Sequence, residues 1–285
     1  MAKPTAKLTL RAERGGVAEV GRSSWRYDRP GRQRTILLVH GFHTSEDQCV
    51  VTLERFQRRV AELNADASQD FFTTTWSGNS WIGPLSYPLM IPKACESGES
   101  LYNTLGVWYQ GRGHEPPELV IVAHSLGCRL TLEFVAILRA RGRPQGLERL
   151  TVILMAGAVP VEFLEQGGAL HDAIEAADEL ITLHSDNDEA LGWVFASGQT
   201  AAREGFFPEA IGTHGNPRSV LVRNEQMRSF RHGDYWRDPS AASKLCELLG
   251  IPASSLAARP PATMTAALTT ATIHSRPLLP FAQSS

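Results

Sequence analysis

Residues 119 to 130 read LVIVAHSLGCRL, an apolar run of strand length that stops at His124-Ser125 and resumes, beyond Leu-Gly, with helical periodicity. A chain that passes from strand to helix over so few residues brings the positions two before and two after the turn nearly into contact, so both must be small. Here they are Ala123 and Gly127. Such an elbow lifts the Ser125 hydroxyl to the rim of a sheet. The helix that follows starts with its backbone N–H groups aimed at the serine, so the N–H of Leu126 is placed to stabilise an oxyanion. A serine held this way has the setting of a nucleophile for acyl transfer.

The elements needed to position it are legible along the chain. RTILLVHG is an apolar strand ending in a turn, and Leu53, Phe56, Val60 and Leu63 after it share one helical face. DFFTTTWSG reads as a strand, Leu101, Leu105 and Trp108 recur at helical spacing, and ELVIVAHS is a third strand. Leu126, Leu130, Phe134 and Leu138 mark the helix after the elbow. RLTVILMAG, LITLHSD and RSVLVRN complete the strands, ahead of a last helix near Ala241 to Leu249. Strands apolar on both faces belong in a parallel sheet covered by helices on both sides, so the fold class is α/β, a three-layer α/β/α sandwich with a mostly parallel sheet. Ligands of such sheets bind outside the carboxyl ends of the strands.

Composition narrows the function. With 42% hydrophobic and 20% charged residues and a net charge of −2, the chain has the make-up of a soluble protein without a polyanion-binding face, so no nucleic-acid partner is expected. No segment approaches the ~18 consecutive apolar residues of a membrane span. Cys49, Cys95, Cys128 and Cys246 are widely spaced and form no C-x-x-C pair, which points to free thiols in a reducing, cytoplasmic setting. Residues 1–33 are expected to add N-terminal strands to the domain formed by residues 34–250. Residues 251–285, rich in Ala, Ser, Thr and Pro and without acidic residues or lysine, read as a disordered tail, with some helix propensity around Thr263 to Ile273.

In the pattern small-x-Ser-x-Gly, written here Ala123-His124-Ser125-Leu126-Gly127, the chain resembles the α/β-hydrolase superfamily of serine hydrolases. LLVHGFHTS resembles the superfamily's strand-ending His-Gly-x segment, which implies that Phe42 donates a second backbone N–H to the oxyanion while Gly41 allows close approach of the loop. The superfamily order of Ser, then acid, then His directs attention to LITLHSDNDEAL. Its Ser185-x-x-Asp188 spacing is similar to the turn that presents the acid, making Asp188 the choice and Asp186 the runner-up. A cation held by His184, Asp186, Asp188 and Glu189 is conceivable, but the spacing fits no calcium loop with a central Gly, and no metal or cofactor is expected. Among later histidines, His232 in RSFRHGDYWRDPS falls between the last strand and the final helix, where the resemblance implies the base; His214 precedes that strand and is the alternative. His124 is read as a packing and hydrogen-bonding residue.

The resemblance implies hydrolysis of a small-molecule carboxylic ester or thioester through an acyl-enzyme on Ser125, with His232 as base and Asp188 fixing its tautomer. A serine nucleophile counts against the dehalogenase and epoxide hydrolase branches, which use Asp. A ligand-binding protein of this fold with little turnover, and an acyltransferase, stay open. The apolar connection of residues 76–92 offers Trp81, Leu85 and Met90 as acyl-pocket lining, and residues 193–211, with Trp193, Phe195, Phe206 and Phe207, form a second aromatic loop.

Overall fold

The apolar runs form one sheet because each can satisfy its backbone only against a neighbour while both of its faces are covered. In the computed structural model, which describes residues 7–10, 34–42, 45–65, 70–78, 86–110, 117–220 and 222–252, the strands are β1 (Lys7–Thr9), β2 (Arg34–Val39), β3 (Phe71–Thr75), β4 (Glu118–His124), β5 (Arg149–Met155), β6 (Glu179–His184) and β7 (Arg223–Gln226). They pair in the order β1-β3-β2-β4-β5-β6-β7, and all six pairings are parallel. β4 lies at the centre, with Ala123 opposite Val39 of β2 and Leu154 of β5. Leu119 to Ala123 are fully buried, as a run without polar alternation requires.

Helices cover both faces. α1 (Glu46–Leu63) packs with α7 (Asp234–Arg237) and α8 (Pro239–Leu248) on one side. α2 (Tyr87–Gln110) and α3 (Leu126–Arg141) pack together on the other, joined by α4 (His171–Ala176) and α5 (Glu189–Ala201). The short α6 (Ile211–His214) sits against β6. α1 opens with a capping box, Ser45 accepting from the Gln48 N–H while Gln48 returns the bond to the Ser45 N–H. Leu53, Phe56 and Val60 form its fully buried face. No helix among the described residues is long and apolar enough to cross a membrane.

Three expectations are corrected. Residues 87–92 are not part of a loop, since Tyr87 opens the long α2. Pro88 falls in the first turn, where its missing N–H has no intrahelical acceptor to lose, and the helix runs on through Pro92. Residues 189–201 are likewise helical, because Asp188 caps α5 and nothing from Glu189 to Ala201 breaks it. The last strand lies at Arg223–Gln226, sharing only Arg223 and Asn224 with the RSVLVRN run and leaving out its apolar part. It is an edge strand with one neighbour, so its exposed Arg223, Asn224 and Gln226 carry no apolar signal. The 253–285 tail and residues 11–33 lie outside the described residues.

Candidate active site

Ser125 stands where β4 gives way to α3, with φ 55° and ψ −126°, a conformation that non-glycine residues avoid. The backbone around it holds that turn. The Ser125 N–H donates to the Met155 carbonyl at 3.0 Å, and the Ser125 carbonyl accepts from the N–H groups of Cys128 at 3.0 Å and Ala158 at 3.1 Å. Close packing explains two glycines. A Cβ on Gly127 would come within 2.5 Å of the His40 carbonyl, and one on Gly41 would lie 2.7 Å from the Ser125 Cβ. Leu126 is the first residue of α3, so its N–H belongs to the helix end that has no intrahelical acceptor.

The segment after β2 is clamped by an aromatic pair. The Trp76 backbone N–H donates to His40 Nε2 at 3.3 Å, and the Trp76 indole N–H donates to the His40 carbonyl at 2.8 Å. Their rings stack at 5.6 Å. Because Nε2 accepts, Nδ1 carries the proton and donates to the Gly41 carbonyl at 2.8 Å. His40 is therefore neutral and orients the peptide that leads to Phe42. The Phe42 ring meets Tyr87 edge to face at 5.4 Å, and Tyr87 in turn meets Phe195 of α5 at 6.4 Å.

His232 Nε2 lies 2.9 Å from Ser125 Oγ, and His232 Nδ1 lies 2.8 Å from Asp188 Oδ2. A carboxylate can only accept, so Nδ1 carries the proton and Nε2 is left to accept from the serine hydroxyl. Asp188 is 1% exposed and is also the N-cap of α5, its Oδ1 accepting from the Leu191 N–H at 3.3 Å. The alternatives are elsewhere. Asp186 is exposed and accepts from the Gln226 amide at 2.9 Å, while His214 is exposed, with Glu209 3.7 Å away. Of the acyl-pocket candidates, Met90 lies in α2, half-buried against the core, and Trp81 and Leu85 lie outside the described residues.

The loop that carries His232 is bound to the loop that carries Asp188. Met227 N–H donates to the His184 carbonyl at 2.7 Å, Ser185 Oγ–H donates to the Phe230 carbonyl at 2.7 Å, and the Asn187 amide donates to the Arg228 carbonyl. His124 Nε2 lies 2.7 Å from the carbonyl oxygen of His232 itself, and the two rings are 4.7 Å apart. Burial, followed by the nearby His232, pushes His124 down to about 3. Cys128, in the first turn of α3, is no rival nucleophile, because burial pushes its thiol up and its Sγ–H faces the carbonyls of Ala123 and Met155.

Sequence reasoning missed the support behind α3. Buried Arg129 pairs with Glu133 at 2.7 Å and makes a two-pronged contact with Glu204, at 2.8 and 3.1 Å, while lying 4.8 Å over the Phe163 ring. It joins the helix behind Ser125 to the segment after α5. The i,i+4 spacing of Arg129 and Glu133 was visible in the chain; the Glu204 partner, on a different element, was not. Among the described residues, no three His, Cys, Asp or Glu side chains are grouped as metal ligands.

Neither a family model nor a curated protein matches the sequence. Solved structures do resemble the fold. An esterase of Pyrococcus furiosus is 11% identical, with 77% of this chain and 83% of that chain covered at a TM-score of 0.44. An esterase of Pyrobaculum calidifontis is 12% identical, with 78% and 76% covered at a TM-score of 0.44.

Proposed function

We propose that the protein is a serine hydrolase that cleaves small-molecule carboxylic esters or thioesters through an acyl-enzyme on Ser125. The observation that carries the reading is the continuous line from Ser125 Oγ through the His232 ring to Asp188, with spacings of 2.9 and 2.8 Å. In the first half-reaction His232 Nε2 takes the hydroxyl proton as Oγ attacks the substrate carbonyl carbon. The backbone N–H groups of Leu126 and Phe42 hold the oxygen that becomes negative. The tetrahedral intermediate collapses as the imidazolium returns the proton to the leaving alcohol or thiol. Water then repeats the sequence on the acyl carbon, and the acid is released. Asp188 keeps its charge throughout and stabilises the imidazolium. A reducing, cytoplasmic setting belongs to the proposal, supported by four cysteines that are all free thiols.

A fluorophosphonate probe tests it directly. The wild-type chain is expected to be labelled at Ser125, to lose its hydrolysis of p-nitrophenyl butyrate in proportion, and to be unlabelled as Ser125→Ala. Labelling that persists in Ser125→Ala, or a wild type that neither reacts nor hydrolyses, overturns the reading.

A further inference from the structure

We propose that His124 is a positioning residue for the base, holding the main chain of His232 through its Nε2–H so that the His232 ring reaches Ser125 and Asp188 together. This rests on the serine-hydrolase reading and deepens it. His232 stands on a loop between β7 and α7 that is exposed at Arg228, Ser229 and Arg231 and is anchored in the core at Phe230, which meets Tyr235 edge to face at 5.2 Å. The loop's main-chain bonds to the acid loop end at Phe230, two residues short of the base, and beyond that point only the His232 ring reaches the acid loop, at Asp188. The contact that reaches the main chain of residue 232 comes from the other side, from His124 on the last position of the central strand.

The direction of that bond is fixed by chemistry. A carbonyl oxygen accepts, so His124 Nε2 must carry the proton and the ring donates. His124 is buried at the end of a strand that is paired on both sides, and its ring is flanked by Tyr235 at 6.0 Å and Trp236 at 5.8 Å. A donor on so rigid an element fixes its acceptor more closely than a loop contact can. It is also immediately next to Ser125 in sequence. One short stretch of β4 therefore sets both the nucleophile and, through the His232 carbonyl, the height of the base above it.

Neutrality is the second requirement. The titratable groups that face His124 are His232, with ring centres 4.7 Å apart, and His40 on the β2 side; Tyr235 and Trp236 face it from α7. When His232 takes the serine proton it becomes a cation, and a second imidazolium in contact would oppose it. Burial keeps His124 uncharged, so it supplies a hydrogen bond without a competing charge.

The test compares two replacements. His124→Gln carries an amide N–H at about the reach of the imidazole Nε2, and His124→Phe keeps a ring and no donor. For His124→Phe, kcat on p-nitrophenyl butyrate is expected to fall about 10²-fold with KM changed less than about threefold, since a base misplaced by a fraction of an ångström acts on the transition state rather than on binding. His124→Gln is expected to recover to within about fivefold of wild type. Gln as inactive as Phe, or a folded Phe variant as active as wild type, overturns the proposal. If Phe does not fold, His124→Asn, whose amide is too short to reach the carbonyl, takes its place.

Proton NMR supplies an arm that needs no turnover. The His232 Nδ1 proton, bonded to Asp188, should resonate far downfield, vanish in His232→Ala, persist in His124→Gln and broaden or vanish in His124→Phe. A resonance unchanged in Phe refutes the tether. A wild type that shows the resonance and its dependence on residue 124, yet hydrolyses nothing, refutes the hydrolase reading and leaves the tether standing.

Discussion

Gly41 and Ser125 touch: a Cβ on residue 41 would sit 2.7 Å from the Ser125 Cβ, and 3.1 Å from His124 Nδ1. Neither neighbour is the free end of a flexible chain, so Gly41→Ala must move either the nucleophile or the loop leading to Phe42. Its kcat/KM is expected to fall about 10²-fold with only a small loss of thermal stability. Steady-state kinetics and a melting curve on the same preparation check this; a variant with wild-type kcat/KM would mean that the contact does not set the site.

Ser125 pays for its placement in backbone strain. Ser125→Ala removes the hydroxyl and keeps the strain, so kcat should drop by about 10³ to 10⁶ with the melting temperature nearly unchanged. Ser125→Gly removes both. It should be equally inactive and more stable than the Ala variant by about 1 kcal/mol, because glycine accepts a positive φ without cost. Urea unfolding of the pair distinguishes them, and equal midpoints would show that the turn is not strained.

The part of this site that was legible in the chain is the part set by neighbours in sequence. Ala123 and Gly127 stand out through the local demand of the elbow for small residues, although the atom a Gly127 Cβ would strike is the His40 carbonyl of a distant segment, and Ser185-x-x-Asp188 is a turn within four residues. Element order placed His232 after the last strand even though that strand was drawn too early, because order survives an error of a few residues. What could not be read depends on distant pairs. Pro88 looks like a helix breaker until Tyr87 is known to open α2, and Asp186 and Asp188 are equivalent in type until the cap of α5 and the His232 ring select one. The donor role of His124 toward residue 232 joins positions 108 apart and leaves no local mark.

The acid limb of stability should carry a signature of His124. Its ordinary value of 6.5 is lowered to about 3 in the folded chain, so between those values the unfolded state binds the extra proton. The associated stability is complete above pH 6.5 and is lost as pH falls toward 3, by at most about 1.4 kcal/mol per unit. Urea midpoints from pH 7 down to 4.5 should therefore fall more steeply for wild type than for His124→Gln. Parallel slopes would mean that the ring takes up its proton in the folded state.

Arg129 offers a test of the scaffold behind the nucleophile. Its side chain is 6% exposed and its two carboxylate partners remain partly buried if it is removed. Arg129→Leu should thus cost about 3 kcal/mol, because Glu133 and Glu204 would be left together without a cation. The double change of Glu133 and Glu204 to Gln on the Arg129→Leu background should return part of that loss. A single variant within ~0.5 kcal/mol of wild type would show that the ion pairs are solvated and weak.

Acyl selectivity should be set by the Phe42 ring rather than by its backbone. The proposed role of residue 42 in catalysis belongs to its N–H, which any side chain leaves in place, whereas its half-buried ring packs edge to face against Tyr87. For wild type, p-nitrophenyl esters are expected to improve from acetate toward octanoate and then decline, each buried methylene contributing up to about 0.8 kcal/mol until the pocket ends. Phe42→Ala should move the optimum to longer chains by about two methylenes, while acetate hydrolysis stays within about threefold because the small acyl group does not touch the ring. Measuring kcat/KM across the series in both proteins separates the two functions of the residue. Equal losses on acetate and octanoate would place the damage at the oxyanion and remove the ring from substrate choice.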